Sequence, residues 1–284
     1  MKKRFALCAI IIALLSLVSV ASAGAPIRVV TSVAVMANLI EEIGGDQVIV
    51  NYLVTGNQCS LHYEPTTRDM ITVMWADMWL GVGAGLDRWI DNIIKATGNN
   101  NITLVDASKN ITLMEDVDPH IWLDPNIAIQ MAENIAAALS QAKPSKAEYF
   151  QQNLDGFVLE VTNVCSKYES LFAELDDKNV VSCSGTFSYL FPAFDFNEVF
   201  VIQPIHGQEA SPRAIVQAME IIKDQNIKAI VGDAELPYAA NVIAQDTNIM
   251  PLLLRSGEGN LDNLDNYIGL LEYNLRQIAN IYVD

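Results

Sequence analysis

Strand-like apolar runs alternate with helically spaced ones along this chain, and the alternation happens twice. In the first half the strand-like runs are 27–32, 48–54, 78–83 and 102–106, separated by helical patterns at 34–43, 67–75 and 86–97. The second half repeats the scheme with runs 180–184, 199–205, 229–232 and 249–254 and helical patterns at 212–225, 238–245 and 264–282. Alternation of this kind predicts parallel sheets with helices on both faces. Between the halves, residues 146–175 form one long amphipathic run with a single glycine, Gly156. Lys143-Pro144 precedes it, and Ser145 with Glu148 has the spacing of a capping box. About 30 residues at ~1.5 Å each make a rod of roughly 45 Å. The expected fold is therefore α/β: two lobes, each a four-stranded parallel sheet flanked by helices, joined by one long backbone helix. The predicted boundaries are 24–144 for the first lobe, 145–175 for the helix and 176–284 for the second lobe. So stiff a connection favours a small adjustment over a large hinge closure.

The first 23 residues change where such a protein would work. Lys2, Lys3 and Arg4 head an apolar core from Ala6 to Val20, and Ala21-Ser22-Ala23 is a small-x-small cleavage pattern. This is an export signal, predicted to be cut after Ala23; the apolar run is shorter than the ~20 residues of a membrane span. No cysteine follows the core as a lipid-attachment site, since Cys8 lies inside it, so the expectation is a soluble, monomeric periplasmic protein. The remaining length exceeds the ~100–200 residues usual for one domain, in keeping with two lobes. The whole chain carries a formal charge of −17, and removing the leader takes away only positive charges. A surface that acidic repels phosphates and excludes nucleic acid as a partner. Beyond the leader stand Cys59, Cys165 and Cys183, an odd number with no C-x-x-C. That spacing argues against a zinc knuckle or a dithiol redox motif. Cys59 and Cys183 lie near candidate ligand loops, either as a disulfide pair or as soft metal donors.

The candidate chemistry rests on three histidines, His62, His120 and His206, each placed where a strand-like run gives way to a helical one. In parallel sheets ligands sit at the carboxyl ends of strands, so the topology directs all three toward one cleft. Imidazole is the commonest zinc ligand, and it suits manganese and iron when carboxylates join it. Thr66 and Asp69 read as the start of a helix, which puts His62 on the loop before it.

Three stretches carry a family resemblance: His62-Tyr63-Glu64-Pro65-Thr66, Gly83-Ala84-Gly85-Leu86-Asp87-Arg88-Trp89, and Asp118-Pro119-His120-Ile121-Trp122-Leu123-Asp124-Pro125. Together with Glu209-Ala210-Ser211-Pro212 they resemble the zinc- and manganese-binding solute-binding proteins of ABC importers. The resemblance implies one metal ion between two lobes, delivered to a membrane permease, with His62 and His120 as the first lobe's ligands. It also makes the run from Gly81 to Gly85 a turn and not a nucleotide loop. The third ligand of the family falls at Ser184 and the fourth near Arg255, and a guanidinium cannot ligate a metal. His206 with Glu209 is the expected replacement; Cys183 as a thiolate is a second one, and Asp233 and Glu235 are further acids after a strand. The resulting expectation is a periplasmic binding protein for a divalent transition metal, zinc first, manganese or iron otherwise, held by His62, His120, His206 and Glu209. The alternatives are a chelated metal or an anion bound through Arg255, or a zinc-dependent hydrolase with Glu64 as base. The chain has no H-E-x-x-H and no G-x-S-x-G to support the last.

Overall fold

The computed structural model describes residues 24–56, 58, 60–114, 119–204, 209–259, 261 and 264–283. The predicted leader, Cys59, Asp118 and His206 lie outside the described residues. The first lobe runs β1 (Ile27–Thr31), α1 (Ala34–Gly44), β2 (Val48–Tyr52), α2 (Thr67–Met74), β3 (Met78–Gly81), α3 (Ile90–Thr97) and β4 (Thr103–Asp106). Two long helices follow, α4 (Pro125–Ala142) and α5 (Ala147–Phe172). The second lobe is β5 (Asn179–Ser184), α6 (Leu190–Ala193), β6 (Asn197–Gln203), α7 (Pro212–Asp224), β7 (Ala229–Asp233), α8 (Tyr238–Thr247), β8 (Met250–Leu254) and α9 (Tyr267–Tyr282).

Both sheets are parallel, in the orders β2-β1-β3-β4 and β6-β5-β7-β8. Strand order reverses direction beside β1 in one lobe and beside β5 in the other. In open parallel sheets a crevice forms at such points, beyond the strands' carboxyl ends. Central strands in parallel sheets are covered on both faces and read as unbroken apolar runs. Accordingly Met78, Trp79 and Leu80 of β3 are all buried, whereas the edge strand β4 exposes Leu104.

The helix α4 has no counterpart among the runs predicted above. Its buried face is Ile127, Ala128, Met131, Ala132, Ile135, Ala136 and Leu139, so three of seven positions are alanine and the apolar stripe is diluted. Its start signal is nevertheless sharp: Asp124 accepts the Asn126 amide at 2.8 Å and Pro125 occupies the first turn, where proline is at home. The capping box expected from Ser145 and Glu148 does not form. Pro144–Lys146 makes a 3-10 turn that runs directly into α5, and Lys146 caps that helix without a side-chain bond. Two other helices begin later than predicted, for local reasons. Gly83, Ala84 and Gly85 all take positive φ, which delays α3 to Ile90. Asp265 is left-handed and Asn266 accepts the Gly269 amide at 2.9 Å, so α9 opens at Tyr267.

The main apolar core is continuous across the two lobes. It passes from Val29, Met36 and Leu80 through Phe150, Phe157 and Phe172 of α5 to Tyr267 and Leu275 of α9, reaching Val180, Val231 and Leu252 on the second sheet. A smaller core, including Val181, Cys183, Ile202, Ile230 and Ile243, fills the second lobe's other face. Among the described residues no helix is long and apolar enough to cross a membrane.

Candidate metal centre

The loop bearing His62 is held on both sides. After β2 the chain makes a 3-10 turn, Ser60–His62, in which Ser60 is buried and His62 is exposed. Tyr63 turns inward, its hydroxyl 3.0 Å from the Leu53 carbonyl and 2.7 Å from Asp69 Oδ2. Asp69 also takes the Thr66 amide, and Thr66 caps α2 in return, so the helix start read from the sequence is present, as a capping box. The Trp89 ring lies 4.9 Å from the Tyr63 ring, and its Nε1 donates to the Ser60 carbonyl at 2.9 Å.

His120 sits just before the 3-10 turn Ile121–Leu123, whose three residues are all buried. Its own side chain is 1% exposed, and its ring meets that of Trp122 at 5.0 Å. His120 Nε2 stands 3.1 Å from Glu258 Oε1, and the Ser60 hydroxyl donates to the same carboxylate oxygen. The loop after β8 thus closes the cleft from the second lobe onto the first. Its first four residues, Arg255 to Glu258, are held by hydrogen bonds. Asn274, buried on α9, pairs with the Arg255 amide and carbonyl at 2.8 and 2.9 Å. The Ser256 amide donates to Asp233 at 3.1 Å, and the Ser256 carbonyl accepts Trp122 Nε1 at 2.7 Å. The carbonyls of Gly257 and Glu258 then take the Val35 and Ala34 amides, two of the donors a helix leaves open at its start.

Asp233 ends β7 at the second lobe's switch point. Burial raises its carboxyl above the ordinary value; bonds from Ser256 and the nearness of His120 oppose the shift, while Glu258 adds to it. His120, Glu258 and Asp233 therefore feel one another. Even so, among the described residues no three His, Cys, Asp or Glu side chains are placed to hold one ion. A buried imidazole and a carboxylate from opposite lobes are in contact, and the exposed His62 stands two residues from Ser60, the other partner of that carboxylate.

The remaining candidates fare differently. Ser184 bonds the Thr186 hydroxyl at 2.9 Å. Cys183 faces the second lobe's core, and burial pushes its thiol up to about 12. Among the described residues that thiol is free. Glu209 is exposed on the approach to α7, and His206 lies outside the described residues. In the glycine turn after β3 two amides are taken by side chains, Gly83's by Asp87 at 2.9 Å and Ala84's by the Ser108 hydroxyl, beyond β4, at 3.1 Å. The turn has no cradle to offer a phosphate. Glu258 is absent from the candidates read in the sequence, which placed the fourth ligand near Arg255. The signal for it was an acid in the same loop, three residues further on.

Residues 29–281 match the model of the family described as zinc-uptake complex component A, periplasmic. The chain belongs to this family of substrate-binding components. It is 23% identical over 277 residues to the high-affinity zinc uptake protein ZnuA of Bacillus subtilis, covering 89% of this chain and 87% of that one. It is also 23% identical to the manganese ABC transporter substrate-binding lipoprotein PsaA of Streptococcus mitis, covering 91% and 90%. Among solved structures, a mutant of the laminin-binding adhesin Lmb of Streptococcus agalactiae superposes with a TM-score of 0.83 at 25% identity, covering 90% and 99%. The two-lobe fold expected from the sequence is the fold of this family. The hydrolase alternative gains no support, since the family is one of binding components and Glu64, its intended base, is exposed on the His62 loop.

Proposed function

We propose that this chain captures a divalent transition metal between its lobes and passes it to an ABC importer's permease, with His62, His120 and Glu258 as the principal ligands. One observation carries the reading: His120 Nε2, almost fully buried, meets a carboxylate oxygen of the opposite lobe at 3.1 Å. A cation entering there replaces a hydrogen-bonded contact with two coordinate bonds and ties the lobes together. Two imidazoles with one carboxylate suit zinc. Additional oxygen donors, from Asp233 or Glu209, move the preference toward manganese or iron. Glu209, on the approach to α7, and His206, which lies outside the described residues, are the further donors of this reading. The reading makes the chain a monomeric carrier that turns nothing over. Its exported part divides into lobes 24–144 and 176–284 about the connection 145–175. It works outside the cytoplasmic membrane, in a periplasm, after cleavage following Ala23. The streptococcal relative is named a lipoprotein, and the mass of the mature amino terminus distinguishes an anchored form from a free one.

The test is elemental analysis and zinc titration of untagged protein purified without chelators. One equivalent of metal is expected, with His120→Ala and Glu258→Gln each weakening zinc binding by at least about tenfold, the ~1.4 kcal/mol that a lost ligand readily exceeds. Unchanged affinity in both variants would refute the site. Binding of a chelated metal or an anion that disappears only with Arg255→Ala would replace it with the anion reading.

A further inference from the structure

Ser60 reaches the metal centre without being one of its ligands. It lies in the 3-10 turn Ser60–His62, two residues before His62, and is 1% exposed. Its hydroxyl donates to Glu258 Oε1, the oxygen that stands 3.1 Å from His120 Nε2. Two side chains of the first lobe thus grip one carboxylate oxygen of the second. Each oxygen of an ionised carboxylate has two lone pairs. A cation arriving from the His120 side takes one of them and leaves the serine on the other. Ser60 is itself anchored: Trp89 Nε1 donates to its carbonyl at 2.9 Å, and the Trp89 ring packs against Tyr63 at 4.9 Å and Trp79 at 5.7 Å. The facing loop is equally confined. The Glu258 carbonyl takes the Ala34 amide, and a Cβ at Gly259 would overlap the Gly56 carbonyl oxygen. The two loops therefore meet at a separation that glycine at 259 permits and a side chain would not.

Resting on the metal site proposed above, we infer that Ser60 is a positioning residue that holds Glu258 to coordination through one oxygen and so favours zinc over manganese. For the carboxylate to chelate, its plane must turn until both oxygens are equidistant from the ion. The hydrogen bond from Ser60 opposes that turn. Zinc is satisfied by four donors in a tetrahedron. Manganese is suited to an octahedral, oxygen-rich shell and gains from a carboxylate that supplies two donors. Holding Glu258 to one oxygen therefore deprives manganese of a donor and leaves zinc complete. The same bond keeps the carboxylate aimed at His120 before an ion arrives, which lowers the ordering cost of binding. Removing a hydrogen-bonding partner of a ligand typically weakens metal binding by about 10–100-fold.

Competition titrations of the full exported chain with zinc and with manganese, against a chromophoric chelator, test this role. Ser60→Ala should weaken zinc by about tenfold or more and manganese far less, so the zinc-to-manganese affinity ratio falls. Ser60→Thr, which keeps the hydroxyl, should restore most of the ratio. Cobalt(II) as a probe reports the geometry: the parent should show the intense visible bands of a four-coordinate ion, and Ser60→Ala should lose much of that intensity as the carboxylate chelates. Trp89→Phe keeps a ring and releases the Ser60 carbonyl. It should shift the ratio the same way, more weakly, and it decides the matter if Ser60→Ala does not fold. Equal weakening of both metals, as a merely structural role would give, overturns the inference, and so does an unchanged ratio or a cobalt spectrum identical to the parent's. His120→Ala and Glu258→Gln run alongside. If they weaken zinc while Ser60→Ala leaves the ratio alone, only the role of Ser60 falls; if they too leave zinc affinity unchanged, the metal site falls with it.

Discussion

Replacing Tyr267 by phenylalanine tests how the cleft is held closed. The Tyr267 hydroxyl donates to the Trp122 carbonyl at 2.8 Å, and Trp122 Nε1 donates to the Ser256 carbonyl at 2.7 Å. Tyr267 and Trp122 are 2% and 0% exposed. The substitution keeps the ring and its contact with Phe157 at 5.6 Å, so no cavity of consequence opens. What it leaves is a buried carbonyl deprived of its donor, a loss of ~1–3 kcal/mol. At roughly 2–4 °C per kcal/mol for a chain of this size, the melting temperature should fall by about 2–12 °C. The bond also fixes Trp122, which in turn grips the loop two residues before Glu258, so stopped-flow chelator competition should show zinc leaving several-fold faster at unchanged stoichiometry. Tyr282→Phe is the control, because its hydroxyl donates to the Asn179 carbonyl at 2.8 Å in the second lobe's frame. It should cost similar stability and leave zinc release alone. A melting temperature within about 1 °C of the parent for Tyr267→Phe would sink the energetic argument. Equal effects of both substitutions on zinc release would sink the link to the loop.

Three further outcomes follow from side chains away from that chain of bonds. Thr66→Ala removes the cap of α2 and should cost about 1 kcal/mol in chemical denaturation, with zinc affinity lowered as the adjoining His62 loop loosens. Cys183, with its thiol pushed up to about 12 by burial, should resist alkylation in native protein at pH 8 and react only on unfolding; rapid native labelling would contradict its placement. Burial raises the Asp87 carboxyl from 3.8 to about 6. Its contribution to stability is therefore complete below about pH 4 and disappears as pH rises through about 6, a change of up to about 3 kcal/mol. Asp87→Asn should flatten that part of the stability profile, and an unaltered slope would show the carboxyl to be ordinary.

Much of the fold was legible because its signals are local. Each strand-like run became a strand; β3 and β7, buried along nearly their whole length, carry the unbroken apolar runs that parallel strands covered on both faces require. The helix α4 was missed because Ala128, Ala132 and Ala136 occupy its buried face and bring little hydrophobic contrast. The box at Ser145 and Glu148 was read where none exists, because Pro144 lets the chain enter α5 by a 3-10 turn and the backbone satisfies its own amides. For the proposed site, His62 and His120 were candidates from their place after strands. Glu258 was not, since a glutamate in a loop is usually solvated. Only tertiary packing shows that Asn274, Asp233 and the start of α1 hold its backbone against the other lobe.

These contacts also limit how the cleft can open. One core runs from the first sheet through α5 and α9 to the second, and parting the lobes as rigid bodies would expose apolar surface at roughly 25 cal/mol per Å². Even a few hundred Å² would cost several kcal/mol, a large part of what one coordinated ion returns. The loop from Arg255 to Glu258 is held instead by separate hydrogen bonds, each worth only ~0.5–1.5 kcal/mol net. Releasing Glu258 from His120 and Ser60 breaks two side-chain contacts and leaves the main-chain bonds of Arg255, Gly257 and Glu258 in place. For the proposed site, metal entry and exit then proceed by side-chain exchange at Glu258 without parting the lobes. Substitutions in this loop should alter the rate of metal release more than the overall shape of the molecule.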